Sequence, residues 1–150
     1  MKKIGSYTLR GKILPVDVQP IPELVRLFDG RFDTAYVVTK FIIAPNDLTS
    51  TTVESFRGKL MTVASGNAKF WNWSDNEEIA WATMTYDGNG ASTPSEFNQI
   101  DPDNLIVEDL FVYLDSNSDF TGNYLIEMDK YEITEARGAL AMVRNNSQNV

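Results

Sequence analysis

The sequence predicts an all-β chain, folded as a two-sheet antiparallel sandwich that is jelly-roll-like and carries one short C-terminal helix. Three observations predict it. First, residues 105–134, LIVEDLFVYLDSNSDFTGNYLIEMDKYEIT, form two strand-like runs around a short loop rich in Asp, Ser and Asn. Ile106, Leu110, Val112 and Leu114, then Tyr124, Ile126 and Met128, recur at even spacing, while Glu127 and Asp129 alternate with the last three, so one face is apolar and the other wet. We read this pair as a β-hairpin. Second, comparable β-branched and aromatic runs recur along the chain, separated by segments dense in Gly, Pro, Asn, Asp and Ser. Third, no repeat of fixed period and no low-complexity block is present, which leaves sandwiches ahead of propellers and solenoids. At 150 residues the chain is a single domain by size, able to hide about 70% of its unfolded surface without a disulfide or metal.

In order, SYTLRGKIL (6–14) alternates Tyr7, Leu9 and Ile13 with Thr8, Arg10 and Lys12, giving a first strand with one polar face. Residues 15–22 hold Pro15, Pro20 and Pro22, which cannot donate regular ladder bonds or continue a helix, so the segment is expected as an extended arm able to embrace a neighbour. Asp29-Gly30 marks a turn. Residues 33–45 follow as a strand ended by Pro45; both of its faces are largely apolar, which predicts a central place in a sheet. Residues 46–56 read as a polar loop, 57–65 as a strand, 65–76 as a loop and 77–86 as a strand.

The stretch 87–104, DGNGASTPSEFNQIDPDN, is longer than ordinary hairpin connections, and loops of that length tend to be functional or interfacial. After the expected hairpin, Thr134 is placed to cap a short helix with Ala136, Leu140 and Val143 on one side; Gly138 weakens it, and a last strand is the rival. Residues 144–150 form a polar tail.

Histidine and cysteine are absent, which removes the side chains most used for nucleophilic, general-base and soft-metal chemistry near neutral pH. Glu77, Glu78, Glu108 and Asp109 are adjacent carboxylates, but neighbours on a strand point to opposite faces and cannot converge on one substrate. No phosphate-binding loop, nucleophile elbow or zinc spacing occurs. The expectation is a chain that is not an enzyme and needs no cofactor.

Net charge is −8, split unevenly: residues 1–70 carry 10 Lys+Arg and 6 Asp+Glu (+4), and residues 71–150 carry 3 and 15 (−12). Opposed patches of this kind favour head-to-tail contacts, and the acidic total argues against direct nucleic-acid binding. No apolar run reaches membrane-spanning length and no apolar stretch precedes Arg10, so neither membrane insertion nor a signal peptide is expected.

Three groups stand out as candidate sites. Asp115, Asn117 and Asp119 have the i, i+2, i+4 spacing that opens a calcium loop, yet Phe120 stands where that loop needs glycine and Ile126 where it needs glutamate, so turn formation is the plainer reading. Asp101 and Asp103 have the same explanation. Phe70, Trp71 and Trp73 lie in a polar stretch, where exposed aromatics stack on sugars or fill partner pockets; Trp71 and Trp73 share a face if the segment is extended, and packing under a sheet competes with those roles.

The runs LFDGRFDTAYVVTKFIIAP, NLIVEDLFVY and NYLIEMDKYEIT, with the proline arm and polar tail, give the whole chain a pattern that resembles the small jelly-roll structural proteins of tailless or marine bacteriophages. That resemblance implies a virion or capsid subunit, built in the host cytoplasm, whose partners are copies of itself and other virion proteins. A genome-lining subunit often has a basic arm, whereas Lys2 and Lys3 are the only basic residues before Arg10. The expected function is therefore self-assembly as a non-enzymatic structural subunit. The alternative is a carbohydrate-binding or adhesion module that uses Trp71 and Trp73, with a glycan as partner and calcium at Asp115, Asn117 and Asp119.

Overall fold

The computed structural model describes residues 2–14, 22–31, 33–49, 53–64, 69–87, 95–117 and 121–134. They form eight strands: β1 (Lys2–Ile13), β2 (Glu23–Val25), β3 (Thr34–Pro45), β4 (Val53–Met61), β5 (Glu78–Asp87), β6 (Ser95–Ile100), β7 (Leu110–Ser116) and β8 (Gly122–Glu132). Every pairing is antiparallel, in two sheets ordered β1-β8-β3 and β2-β7-β4-β5-β6. The sandwich predicted from the sequence is thus the fold. The short helix placed after Thr134, the tail at 144–150 and most of the proline arm lie outside the described residues.

The topology is a long hairpin rolled up. β4 pairs with β5 at its tip, β2 with β7 further out and β1 with β8 at its ends, the nested order of a jelly roll. β6 departs from that order by pairing with β5, extending the sheet to five strands and leaving β3 at an edge. That edge is partly sealed: Ile106 exchanges two backbone hydrogen bonds with Tyr36 at 2.8 Å each, and Asn104 accepts from the Val38 amide (2.8 Å) while donating to the Val38 carbonyl (3.2 Å).

Four expectations are corrected. β7 and β8 are not a hairpin; each belongs to a different sheet, paired with a strand from the opposite end of the chain. Their inward residues nonetheless form the core as predicted, with Ile106, Leu110, Val112, Leu114, Ile126 and Met128 at no more than 1% exposure and Tyr124 at 7%. Among the described residues β3 lies at a sheet edge instead of its centre. A bulge between Val38 and Lys40 shifts its phase, so Tyr36 and Val38 before it and Phe41 and Ile43 after it all face inward. The apolar residues on both parities reflect that shift, not burial of both faces. β4 begins at Val53, inside the expected loop, because the inward residue near its start is Glu54, a charge that broke the alternation. The presumed loop 87–104 contains β6, whose exposed, polar SEFNQI shows no strand periodicity.

The core between the sheets gathers Val38, Phe41 and Ile43 from β3, Phe56 and Leu60 from β4, Ala80 and Ala82 from β5, and the inward faces of β7 and β8. Burial of this apolar surface is the main stabilising term. Gly58 leaves room for its neighbours on both sides: a Cβ would lie 2.9 Å from the Tyr113 carbonyl oxygen and 3.1 Å from Leu114 of the adjacent β7, and 3.4 Å from the Phe41 ring of the facing sheet. β1 is held differently. Its partner is β8 along its whole length, and among the described residues it packs on no other strand to a comparable extent.

Candidate functional site

Residues 69–76 join β4 to β5 over the outer face of the five-stranded sheet. Alternation places Arg57 and Lys59 of β4 outward, opposite Thr83 and Trp81 of β5, with Phe97 of β6 beyond Thr83 and Asp115 of β7 beyond Arg57. Trp71 stacks on Phe97 (centroids 5.9 Å apart, planes at 27°), and Trp73 leans on Trp81 (5.7 Å, 56°). Trp71 is half-buried, whereas Phe70 is 70% and Trp73 65% exposed. Trp71 and Trp73 thus pack against the same outer face of the five-stranded sheet, and Phe70 beside them stands in solvent.

A buried ion pair holds residues 69–76, an arch over that face. Lys59 Nζ lies 3.0 Å from Glu78 Oε2, both side chains 3% exposed. Lys59 also donates to the Phe70 carbonyl (2.9 Å) and sits 5.6 Å from the centroid of the Tyr113 ring. Glu78 Oε1 accepts from the Asn72 amide (2.9 Å) and from Trp81 Nε1 (2.8 Å). Charge removed from water is tolerated when such bonds compensate it, and here two of them go to the loop backbone, fixing residues 70–72 on the sheet. Asn72 braces the turn further by accepting from the Ser74 amide and hydroxyl. Glu77, next in sequence, is buried as well, and burial first, then the Asp75 charge, raises its carboxyl above the usual range.

Beside the arch lies a concavity of about 320 Å3 lined by Arg57, Lys69, Phe70, Trp71 and Thr83. Arg57 reaches Asp115 Oδ2 through Nε and Nη2 at 2.6 Å each and leaves 45% of its side chain exposed. The indole Nε1–H of Trp71 is shielded from water and has no acceptor among the described residues.

The proposed calcium ligands are occupied otherwise. Asp115 is 1% exposed and bound to Arg57, while Asn117 accepts from the Ser55 amide and donates to the Val53 carbonyl, extending the β7 edge onto β4. Asp119 lies outside the described residues, among which no cluster of three or more metal-ligating side chains occurs. Asp101 makes a turn by accepting from the Asp103 amide. Asp109 accepts from the Leu27 and Phe28 amides, tying down the chain after β2. Of the arm prolines, Pro22 is half-buried just before β2, and Pro15 and Pro20 lie outside the described residues.

A second surface is the outer edge of β1, which pairs with no strand among the described residues. Lys2, Lys3, Ile4, Ser6, Tyr7, Thr8, Arg10 and Lys12 are exposed, with Ile4 at 44%, Tyr7 at 49% and the following Leu14 at 60%. Asp129 accepts from Ser6 (2.8 Å) and pairs with Lys3 (3.1 Å); these bonds, Ser6 foremost, lower its carboxyl below the usual range and fasten the start of β1. Near its other end a concavity of about 520 Å3 crosses the three-stranded sheet, where Ile42 and Leu125 adjoin Arg10 and Lys12.

Sequence reasoning missed Lys59 and Glu78 as partners, because strand spacing does not say which neighbour a charge will meet. It also missed Glu54, fully buried with both carboxylate oxygens lacking a hydrogen-bond partner among the described residues. No protein family, curated protein or solved structure matches the chain.

Proposed function

We propose that this chain is a non-enzymatic structural subunit that self-assembles through its strand edges, and that its place is a virion or capsid, as the pattern resemblance implies. The observation that carries the reading is β1: twelve residues that form a sheet edge among the described residues, exposed along most of their length, with Ile4, Tyr7 and the following Leu14 open to solvent. A long edge presents unpaired backbone donors and acceptors that another chain can complete.

Charge selects the partner. β1 carries Lys2, Lys3, Arg10 and Lys12 and no acid, so antiparallel pairing of two β1 strands about Tyr7 would set Lys2 against Lys12. Residues 95–103, which hold the exposed β6 edge and the turn after it, carry Glu96, Asp101 and Asp103 and no base. A head-to-tail contact between β1 of one copy and the β6 edge of the next matches opposite charges and propagates into a ring or an open array.

Light scattering after size exclusion, across protein concentration and salt, tests this. Discrete large species that shrink as salt rises support it, since contacts between exposed charges weaken once the screening length falls below about 10 Å. Reversing Arg10 and Lys12 to Glu should abolish the large species, and adding Glu96→Lys with Asp103→Lys should restore them. A monomer at every concentration overturns the reading. Charge reversal is preferable to truncation here, because removing β1 would also strip β8 of a sheet partner.

A further inference from the structure

We infer that β1 of one copy adds antiparallel to the β6 edge of the next in a single register, with Arg10 stacked on Phe97 and Tyr7 set against Ile100. This rests on the assembly reading above and names the side chains that fix its contact. Both strands end their sheets among the described residues, β1 bonded to β8 alone and β6 to β5 alone. β3 packs over β4, β5 and β6, and β1 lies at the far end of the three-stranded sheet from β3. The two edges therefore sit on opposite sides of the sandwich, so each contact leaves one edge of either kind open and the next copy can repeat it.

Side-chain parity restricts the register. Tyr7 and Leu9 stand on the inward face of β1, beside Met128 and Ile126, whereas Thr8, Arg10 and Lys12 point outward. On β6, Ile100 packs on the core, which puts Ser95, Phe97 and Gln99 outward. A strand added at an edge continues both faces of the sheet, and the apolar faces join only when inward residues meet inward ones. Setting Arg10 opposite Phe97 sets Tyr7 opposite Ile100, Thr8 opposite Gln99, Lys12 opposite Ser95 and Gly11 opposite Glu96. A shift of two residues either way would lay Glu96 against Leu9 or Ile13, both packed on the core, and desolvate a carboxylate without a partner.

The chemistry suits that register. Arg10 and Lys12 have no hydrogen-bond or ion-pair partner among the described residues, and Phe97 keeps 41% exposure although Trp71 stacks on it. Directly opposed residues of paired strands are close enough for a guanidinium to lie on an aromatic ring. Tyr7, 49% exposed, gains the cover of Ile100. Glu96 falls between the two cations along the strand, which favours this partner over a second β1.

The chain has no cysteine, so engineered pairs on the full chain read the register directly. Chains carrying Thr8→Cys are mixed with chains carrying Gln99→Cys, and Lys12→Cys with Ser95→Cys; opposed residues about 4.5–5.5 Å apart at Cα fall within disulfide reach. Under mild oxidation both mixtures should give intermolecular disulfides at least about tenfold faster than Thr8→Cys with Ser95→Cys or Lys12→Cys with Gln99→Cys, the pairs that parallel strands would join. One chain bearing Thr8→Cys and Gln99→Cys should give a ladder of covalent oligomers. Phe97→Leu should raise the concentration needed for assembly about three- to tenfold, and Phe97→Tyr should leave it unchanged. Large species by light scattering whose opposed pairs cross-link no faster than the swapped ones, or Phe97→Leu assembling like the natural chain, would overturn the register while leaving self-assembly standing. A monomer with no cross-link at any concentration removes both.

Discussion

Glu54 offers a sharp test of how this core is built. It stands on the inward face of β4, opposite Tyr86 of β5, at 0% exposure, and neither carboxylate oxygen finds a hydrogen-bond donor among the described residues. A buried polar group without partners costs about 1–3 kcal/mol, and more if charged. Methionine has nearly the same length and volume, so Glu54→Met removes the penalty without opening a cavity or overpacking. We expect the variant to be more stable by about 2 kcal/mol; at about 2–4 °C per kcal/mol for a domain of this size, the melting midpoint should rise by about 4–8 °C. Glu54→Gln keeps the polar atoms buried and should gain less. Urea unfolding followed by far-UV circular dichroism measures the change, and an unaltered slope shows that the effect is on stability and not on the compactness of either state. A midpoint lowered by Glu54→Met would refute the reasoning, since it would mean that the carboxylate is compensated and contributes to the fold.

Lys59→Met should act in the opposite direction. It strands Glu78 as an unpaired buried charge and is expected to destabilise by about 3–5 kcal/mol in the same urea experiment, with enhanced proteolysis near residues 70–72 because the loop loses its tie to Lys59. Tyr124 predicts an alkaline limit: burial first, then Glu23, pushes its hydroxyl up to about 12. A phenol that ionises near 10 when unfolded and near 12 when folded stabilises the fold fully below pH 10, and that contribution disappears as pH rises from 10 to 12. Denaturation midpoints across that window should fall more steeply for the natural chain than for Tyr124→Phe.

The core faces of β1, β7 and β8 were legible in the primary structure, because a pleated backbone with one wet side forces period-two alternation that the residues themselves display. Tyr124, Ile126 and Met128 read inward and lie inward, and the outward Asp129 is free to clamp Ser6 and Lys3. Absence of histidine and cysteine likewise narrowed the chemistry without any coordinates. Only the tertiary structure decided partners. Alternation says which side of a strand is apolar but not which strand lies beside it, so β7 and β8 resembled a hairpin until each was seen paired with a strand from the far end of the chain. The bulge in β3 mimicked two buried faces, and β6 had no apolar face to reveal. The aromatic arch was suggested by Phe70, Trp71 and Trp73, but its support was not: Lys59 and Glu78 lie nineteen positions apart and meet because the five-stranded sheet aligns β4 with β5. Local periodicity is a property of a few neighbouring residues, whereas strand order and buried charge pairing depend on contacts across the whole chain.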